Sequence, residues 1–340
     1  MPEDPHPSLP AGTWSTPAEQ LRLAIQRPVL AALTDLAVVT ARGADAAQFL
    51  NGQLTIDVAA ADIHRWQLGA YCSVKGRVLA LFELWREADQ FHLLLPAQRA
   101  APLCAQLSRY VLRSKVRLEE QGLGHWTVFG MTGPGVEAEL QSAGLQCPQT
   151  AWSSLPFEGT ARLARLPSSP RSGARFVLLA PASSSDSWRS RLAGLTQVDR
   201  GVWWWSKIDA GLPDVFDATA ERFVPQMLNL DVLGGVHFGK GCYPGQEVVA
   251  RSQYRGKLRR RMARASAEAA AAGDDVFNED DPSAPVGTVV MAAHSPAGGF
   301  DLLLECPSEL AQTARMRVGG QRSARLTLGD LPYPLINPTA

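Results

Sequence analysis

Apolar residues run almost unbroken through Leu36-Ala-Val-Val-Thr-Ala-Arg42 and stop at Gly43, which predicts a strand closed by a turn. The spacing from Leu21 onward predicts a short helix before it, and residues 44–50 predict another behind it. Segments 69–73 and 77–85 flank Lys75-Gly76 and read as the arms of a hairpin, with 91–96 as a third strand. Apolar positions fall at helical spacing over 98–112, and 115–118 returns to an extended pattern. The order then recurs. Trp126-Thr-Val-Phe-Gly130 is strand-like, leads through Thr132-Gly-Pro-Gly135 into a helix, and precedes a strand over 174–180 and a helix over 185–195. Two halves alike in element order follow, without a sequence repeat of fixed period. Strands and helices in this irregular order predict α+β layers instead of a strict parallel alternation.

Beyond Arg264 the pattern changes. The Ala-rich, acidic stretch 265–285 reads as a solvated connector. Short strands at 287–292, 300–305, 314–318 and 325–328 suit a small β-barrel. At 340 residues the chain exceeds one hydrophobic core, and the pattern divides it into an N-terminal arm (1–32), two α+β parts (33–122 and 123–262) and a barrel (263–340). The run Trp203-Trp-Trp205 reads, on burial alone, as an alternately buried strand.

Composition narrows the function classes. With 46% hydrophobic and 19% charged residues the chain is an ordinary globular protein. Lys plus Arg and Asp plus Glu both number 33, so no global positive field exists to hold a nucleic acid or an anionic membrane. The five cysteines, Cys72, Cys104, Cys147, Cys242 and Cys306, include no Cys-x-x-Cys pair, which argues against a disulfide framework and a zinc site. The six histidines show no metal spacing. The first dozen residues lack the basic end and apolar run of a secretory signal, and no stretch approaches the roughly 18 apolar residues that span a bilayer, so a cytoplasmic protein is expected.

The chemistry concentrates around Cys242. Two glycines and a proline in Gly241-Cys-Tyr-Pro-Gly245 force a tight turn, and 246–255 has helical character up to Gly256. Cys242 then precedes a helix N-terminus, where the helix dipole and Lys240 both favour the thiolate. Glu247 and Arg251 stand at i and i+4 in the favourable order.

Three segments resemble the signature of the YgfZ family: Phe223-Val-Pro-Gln-Met-Leu-Asn-Leu230, Lys240-Gly-Cys-Tyr-Pro-Gly-Gln-Glu-Val-Val-Ala-Arg251 and Arg255-Gly256. That family is a branch of the folate-binding proteins related to the aminomethyltransferase, or T-protein, of glycine cleavage. The likeness runs from about Leu33 to Tyr333. It includes Gly43 to Thr55, the Lys75-Gly-Arg77 turn, Tyr110 to Val116, Ile208-Asp-Ala-Gly-Leu-Pro213 and Leu331-Pro-Tyr333.

The resemblance implies a T-protein-like (GcvT-like) ring: two α+β, ferredoxin-like domains and a C-terminal β-barrel around a central hole that holds tetrahydrofolate. It assigns the folate-stacking tryptophan to Trp203 and the pterin-facing acid to Asp209, with Gln226, Glu247 and Arg251 as further contacts. The motif residues are Lys240, Gly241, Cys242, Tyr243, Gly245, Gln246 and Glu247, with Cys242 as reactive thiol and no stable metal site.

Three departures matter. Asp209 stands where glutamate is usual, and Leu36 where some members carry a folate-contacting tryptophan. The segment Lys75-Gly-Arg-Val-Leu-Ala80 has no carboxylate where T-proteins carry their catalytic aspartate, which removes the obvious proton carrier for methylene transfer. The implied role is not that of a classical enzyme: a folate-binding factor that supports iron-sulfur cluster assembly or repair through iron-sulfur enzymes or assembly proteins, and so affects tRNA thiomethylation indirectly. Rival readings are a folate-dependent one-carbon transferase acting on a small amine, with Glu247 or Asp209 as acid or base, and a direct tRNA-binding module. The basic run Arg251, Arg255, Lys257, Arg259, Arg260, Arg261 and Arg264 suits a folate glutamate tail, a partner protein, RNA or a charge-guarded strand edge.

Overall fold

The computed structural model describes residues 16–122, 124–254, 259–313, 315–319 and 323–335. Arg255, Gly256, Lys257 and residue 314, where a strand was expected to begin, lie outside them, as do residues 1–15 of the N-terminal arm.

The first half forms a five-stranded sheet in the order Gln67–Cys72, Val78–Glu87, Gln90–Pro96, Leu36–Arg42, Arg117–Gln121, every neighbour antiparallel. Helices Ala46–Asn51 and Ala97–Ser108 cover one face, burying Leu50, Leu103 and Leu107 against Val39, Phe82 and Leu93. The second half repeats the plan. Its sheet runs Thr196–Val198, Val29–Ala32, Trp126–Thr132, Gly173–Pro181, Arg162–Ser169, Ser154–Pro156. Helices Val136–Ser142 and Ser185–Arg191 bury Leu140 and Trp188 in the matching core.

Read in spatial order, the two sheets share one topology, with a single insertion. Strand Val29–Ala32, from ahead of both halves, wedges between Trp126–Thr132 and Thr196–Val198, antiparallel to the first and parallel to the second. The duplication reaches backbone detail. Gly43 and Gly133 close corresponding strands at φ of 129° and 111°, and a Cβ on either would lie 2.1 Å from a crossing carbonyl oxygen, of Lys115 and Arg27 respectively. Only glycine fits both places.

The third unit is a seven-stranded sheet that nearly closes on itself. Its two edges, Ala324–Arg325 and Thr327–Gly329, flank Leu326 in the chain, so one residue links the ends of the sheet. This barrel-like sheet corrects the connector expected over 265–285. That stretch supplies the end of Arg260–Ala267, all of Asp275–Asn278 and the start of Asp281–His294. Paired backbone, not apolar content, makes these strands, which is why the pattern missed them.

Helix Arg200–Asp209 runs through the middle. The Asp199 side chain caps it by accepting from Gly201 N–H at 3.2 Å. The largest core cluster surrounds it, drawing Leu68 and Trp85 from the first sheet, Val128 and Val177 from the second, and Met291 and Leu303 from the third. The tryptophan run is therefore helical, not an alternating strand. Apolar residues clump because both Trp203 and Trp205 are buried on a helix packed against more than one sheet.

Candidate functional site

The helical setting decides which tryptophan meets open space. Arg200 and Trp204, four residues apart, share one face of helix Arg200–Asp209, and that face borders a cavity of about 730 Å³. The turn that leads into strand Leu36–Arg42 contributes Asp35 to its wall, the connecting chain Phe216, and the barrel Met291, His294 and Phe300. Trp204 Nε1 donates to Asp35 Oδ2 at 2.7 Å, and Arg200 Nε lies 3.3 Å from the same oxygen. Phe216 meets the Trp204 ring edge-on, centroids 5.5 Å apart. The other carboxylate oxygen, Asp35 Oδ1, is buried with no hydrogen-bond partner among the described residues. Across the cavity His294 stacks on Phe300 at 4.6 Å. Aromatic walls and one unsatisfied buried acceptor suit a flat heterocycle with an N–H donor edge.

Trp203, about 100° round the helix, points into the core instead. It is 3% exposed, it fills the space above Gly130, and the Arg175 guanidinium covers its ring at 4.3 Å. Burial lowers the Arg175 pKa to about 9, and its Nε donates to Ser206 Oγ. Asp209 is fully buried and saturated, accepting from Ser169 Oγ at 2.5 Å and from Arg171 N and Nε, with Arg264 3.2 Å away. Arg171 also reaches Asp301 of the barrel, so Asp209 joins the second half to the third unit. Gln226 is buried as well, its Nε2 donating to Val249 O. Glu247 and Arg251 form an exposed i,i+4 pair at 2.9 Å. The structure thus does not gather Trp203, Asp209, Gln226, Glu247 and Arg251 into one pocket. The cavity residues were legible only as neighbours. Asp35 stands beside Leu36 and Trp204 beside Trp203, and reading the run with helical period puts Arg200 and Trp204 on one side.

The Cys242 turn is a separate place. Cys242 is exposed, whereas Cys72, Cys147 and Cys306 are buried and Cys104 partly so. Helix Gln246–Tyr254 follows it. Gly245, at φ 79°, lies against the hairpin turn: a Cβ there would be 2.4 Å from Ser73 O and 2.5 Å from Gly76 N. Two motifs read separately in the sequence therefore form one contact. Tyr243 is buried beneath, and burial raises its hydroxyl pKa. Lys240 makes no close ion pair among the described residues: its ammonium donates to Leu54 O at 2.6 Å and to Asn51 O, with the Tyr243 ring 5.3 Å away, and Asp57 is the carboxylate whose charge acts on it from farther off. Burial lowers its pKa to about 8.

Most of the described basic run is already paired. Arg260 binds Glu305, Arg261 binds Asp231 at 2.5 Å, and Arg264 approaches Asp209. Arg259 is exposed. Among the described residues no group of three or more His, Cys, Asp and Glu is arranged to hold a metal ion, and no helix is long and apolar enough to cross a membrane.

No family model matches the chain. It is 30% identical over 315 residues to the tRNA-modifying protein YgfZ of Photorhabdus laumondii, an alignment covering 90% of this chain and 92% of that one. The tRNA-modifying protein YgfZ of Sodalis glossinidius is 29% identical over 311 residues, covering 90% and 93%. Among solved structures, the glycine cleavage system aminomethyltransferase T from Bartonella henselae superposes with a TM-score of 0.77 at 16% identity, over 93% of this chain and 88% of that one. The likeness establishes a shared fold.

Proposed function

The chain belongs to the family of the tRNA-modifying protein YgfZ, and we propose that it is a tRNA-modification factor that binds a reduced folate in the cavity beside helix Arg200–Asp209. The observation that carries this reading is the half-buried Trp204 beside Asp35, whose Oδ1 is buried without a partner. A pterin offers an aromatic face to the tryptophan and a donor edge to the carboxylate. The volume of about 730 Å³ lies within the range of sites that enclose small ligands. Bound tetrahydrofolate supplies a reducing pterin and two nitrogens able to carry a one-carbon unit. Trp204 and Phe216 would hold the ring, Asp35 would fix its edge, and Arg200 orients Asp35.

Calorimetry with tetrahydrofolate tests the reading on wild type, Trp204→Ala and Asp35→Asn. Binding to wild type weakened about tenfold or more in each variant is expected, a loss of about 1.4 kcal/mol. No heat with wild type removes the cofactor. Wild-type affinity in both variants moves the site elsewhere, with Trp203 and Asp209 as the next candidates.

The exposure of Cys242 among otherwise sheltered cysteines supports a second component, a working thiol that serves iron-sulfur enzymes or their assembly proteins. On this reading tRNA is affected indirectly, since Arg260 and Arg261 are committed to Glu305 and Asp231. Cys242→Ala is expected to abolish complementation of cluster-enzyme activity in a deletion strain, and full rescue would sink the thiol claim. The one-carbon transferase reading differs in predicting turnover of tetrahydrofolate with an amine acceptor. The absence of a carboxylate from Lys75 to Ala80 favours binding without turnover.

A further inference from the structure

We infer that Lys240 is the positioning residue of Cys242, acting as a bolt between the thiol-bearing turn and the first α+β half. The expected task for a lysine two residues from a thiol is direct electrostatic support. The geometry assigns it another. Its ammonium is engaged by Leu54 O at 2.6 Å and by Asn51 O, at the end of helix Ala46–Asn51 and in the turn after it. Helix-terminal carbonyls lack intrahelical partners and carry the negative end of the dipole, so a cation there satisfies acceptors that would otherwise be left open.

The turn is pinned on other sides too. His237 N–H donates to Thr55 O at 2.8 Å, and Thr55 Oγ1 donates back to Gly235 O at 2.7 Å. Tyr243 is buried, and Gly245 rests on Ser73 and Gly76 without room for a Cβ. Between Lys240 and Tyr243 only Gly241 and Cys242 are exposed, and Gly241 has nothing within 4 Å of its would-be Cβ. Cys242 therefore stands at the outward apex of a short span fixed at both ends. Of these fixings, Lys240 is the one made by a charged side chain to backbone acceptors. Removing it frees the N-terminal end of the span and leaves two carbonyls unsatisfied, while Tyr243 and Gly245 still hold the other end.

The relevance to function rests on the reading of Cys242 as the working thiol; the bolt itself does not. The test uses the full chain as wild type, Lys240→Met and Lys240→Arg at neutral pH. Amide exchange is followed in segments 46–56 and 237–245, alkylation of Cys242 by iodoacetamide is followed by peptide mass analysis, and Tm is recorded. In Lys240→Met, exchange in both segments is expected to rise about tenfold or more, as for local opening, with the Cys242 alkylation rate changed severalfold and the barrel amides unaltered. Lys240→Arg, which keeps a cation and several donors, is expected to restore both readouts. Unchanged protection of 46–56 in Lys240→Met overturns the proposal, as does loss of protection spread evenly over the chain. If Lys240→Met does not fold, Lys240→Gln replaces it against the same two segments. None of these readouts requires folate or a cluster, so loss of complementation in Cys242→Ala variants and failure of the bolt are separately visible.

Discussion

At the scale of single residues, the site depends on where two glycines meet. Gly245 adopts φ 79° and presses its backbone on Ser73 and Gly76, whereas Gly241, four residues earlier, faces open space. Alanine at the first position must carry left-handed strain and also push a methyl group into backbone atoms that cannot swing aside. Gly245→Ala is expected to lower unfolding free energy by about 1–3 kcal/mol in urea melts, and Gly241→Ala by about 0.5 kcal/mol or less. Equal effects would mean that the turn does not rest on the hairpin. That a tight turn surrounds Cys242 was legible from Gly241, Pro244 and Gly245. Which glycine is indispensable was not, because the atoms that decide it belong to the distant hairpin. The same reason hid the true neighbours of Lys240, whose partners are backbone carbonyls and leave no trace in side-chain pattern.

At the scale of elements, helix Arg200–Asp209 ties the units together through ions buried on its inner side. Lys207 Nζ lies 2.9 Å from Glu83 Oε1 of the first sheet and 2.6 Å from Asp214 Oδ2, all three side chains almost fully enclosed. Burial opposes the lysine charge, but Asp214 and Glu83 outweigh it and raise the Lys207 pKa. Lys207→Met would leave two carboxylates buried together without a cation. A loss of about 3–5 kcal/mol is expected in denaturant unfolding, and restoring wild-type stability by Lys207→Met alone would contradict the geometry. The helix itself had a readable start in Asp199, whose side chain caps it, but three consecutive tryptophans obscured the periodicity. Taking the helical period from that cap puts Trp204 with Arg200 and Trp203 with the core, the distinction on which the cavity turns.

At the scale of the whole molecule, the duplicated order of strands and helices was visible in the sequence. The strand Val29–Ala32 inserted into the second sheet was not, because nothing local marks its long-range pairing. Among the contacts that join the two halves is a buried polar and aromatic one centred on His92. Its ring stacks on Trp85 at 4.9 Å, meets Trp126 of the second half edge-on at 5.9 Å, and shares a 3.0 Å hydrogen bond with Thr40 Oγ1. Thr40 donates onward to Gln121 Oε1, which also accepts from Trp126 Nε1. The charged groups facing it are Glu87, 3.8 Å from Nε2, and Arg162 of the second sheet. Burial, and then the Arg162 charge, lower the His92 pKa from 6.5 to about 4. Between those values the unfolded chain binds a proton at this site and the folded chain does not, so stability falls as pH drops from 6.5 to about 4 and levels off below. The shift corresponds to roughly 3 kcal/mol at most. Asp214 works in the opposite sense: burial raises its pKa to about 6, so its contribution falls as pH rises from 3.8 to about 6. The raw pH profile is therefore a difference of two slopes, and variants are needed to separate them. His92→Gln keeps a polar partner for Thr40 but cannot be protonated in this window. Denaturant melts at a series of pH values are expected to show that it flattens the acid-side loss, whereas Asp214→Asn steepens the net loss on acidification by removing the opposing term. An unchanged profile in His92→Gln would show that this imidazole is not what makes the inter-half contact sensitive to acid.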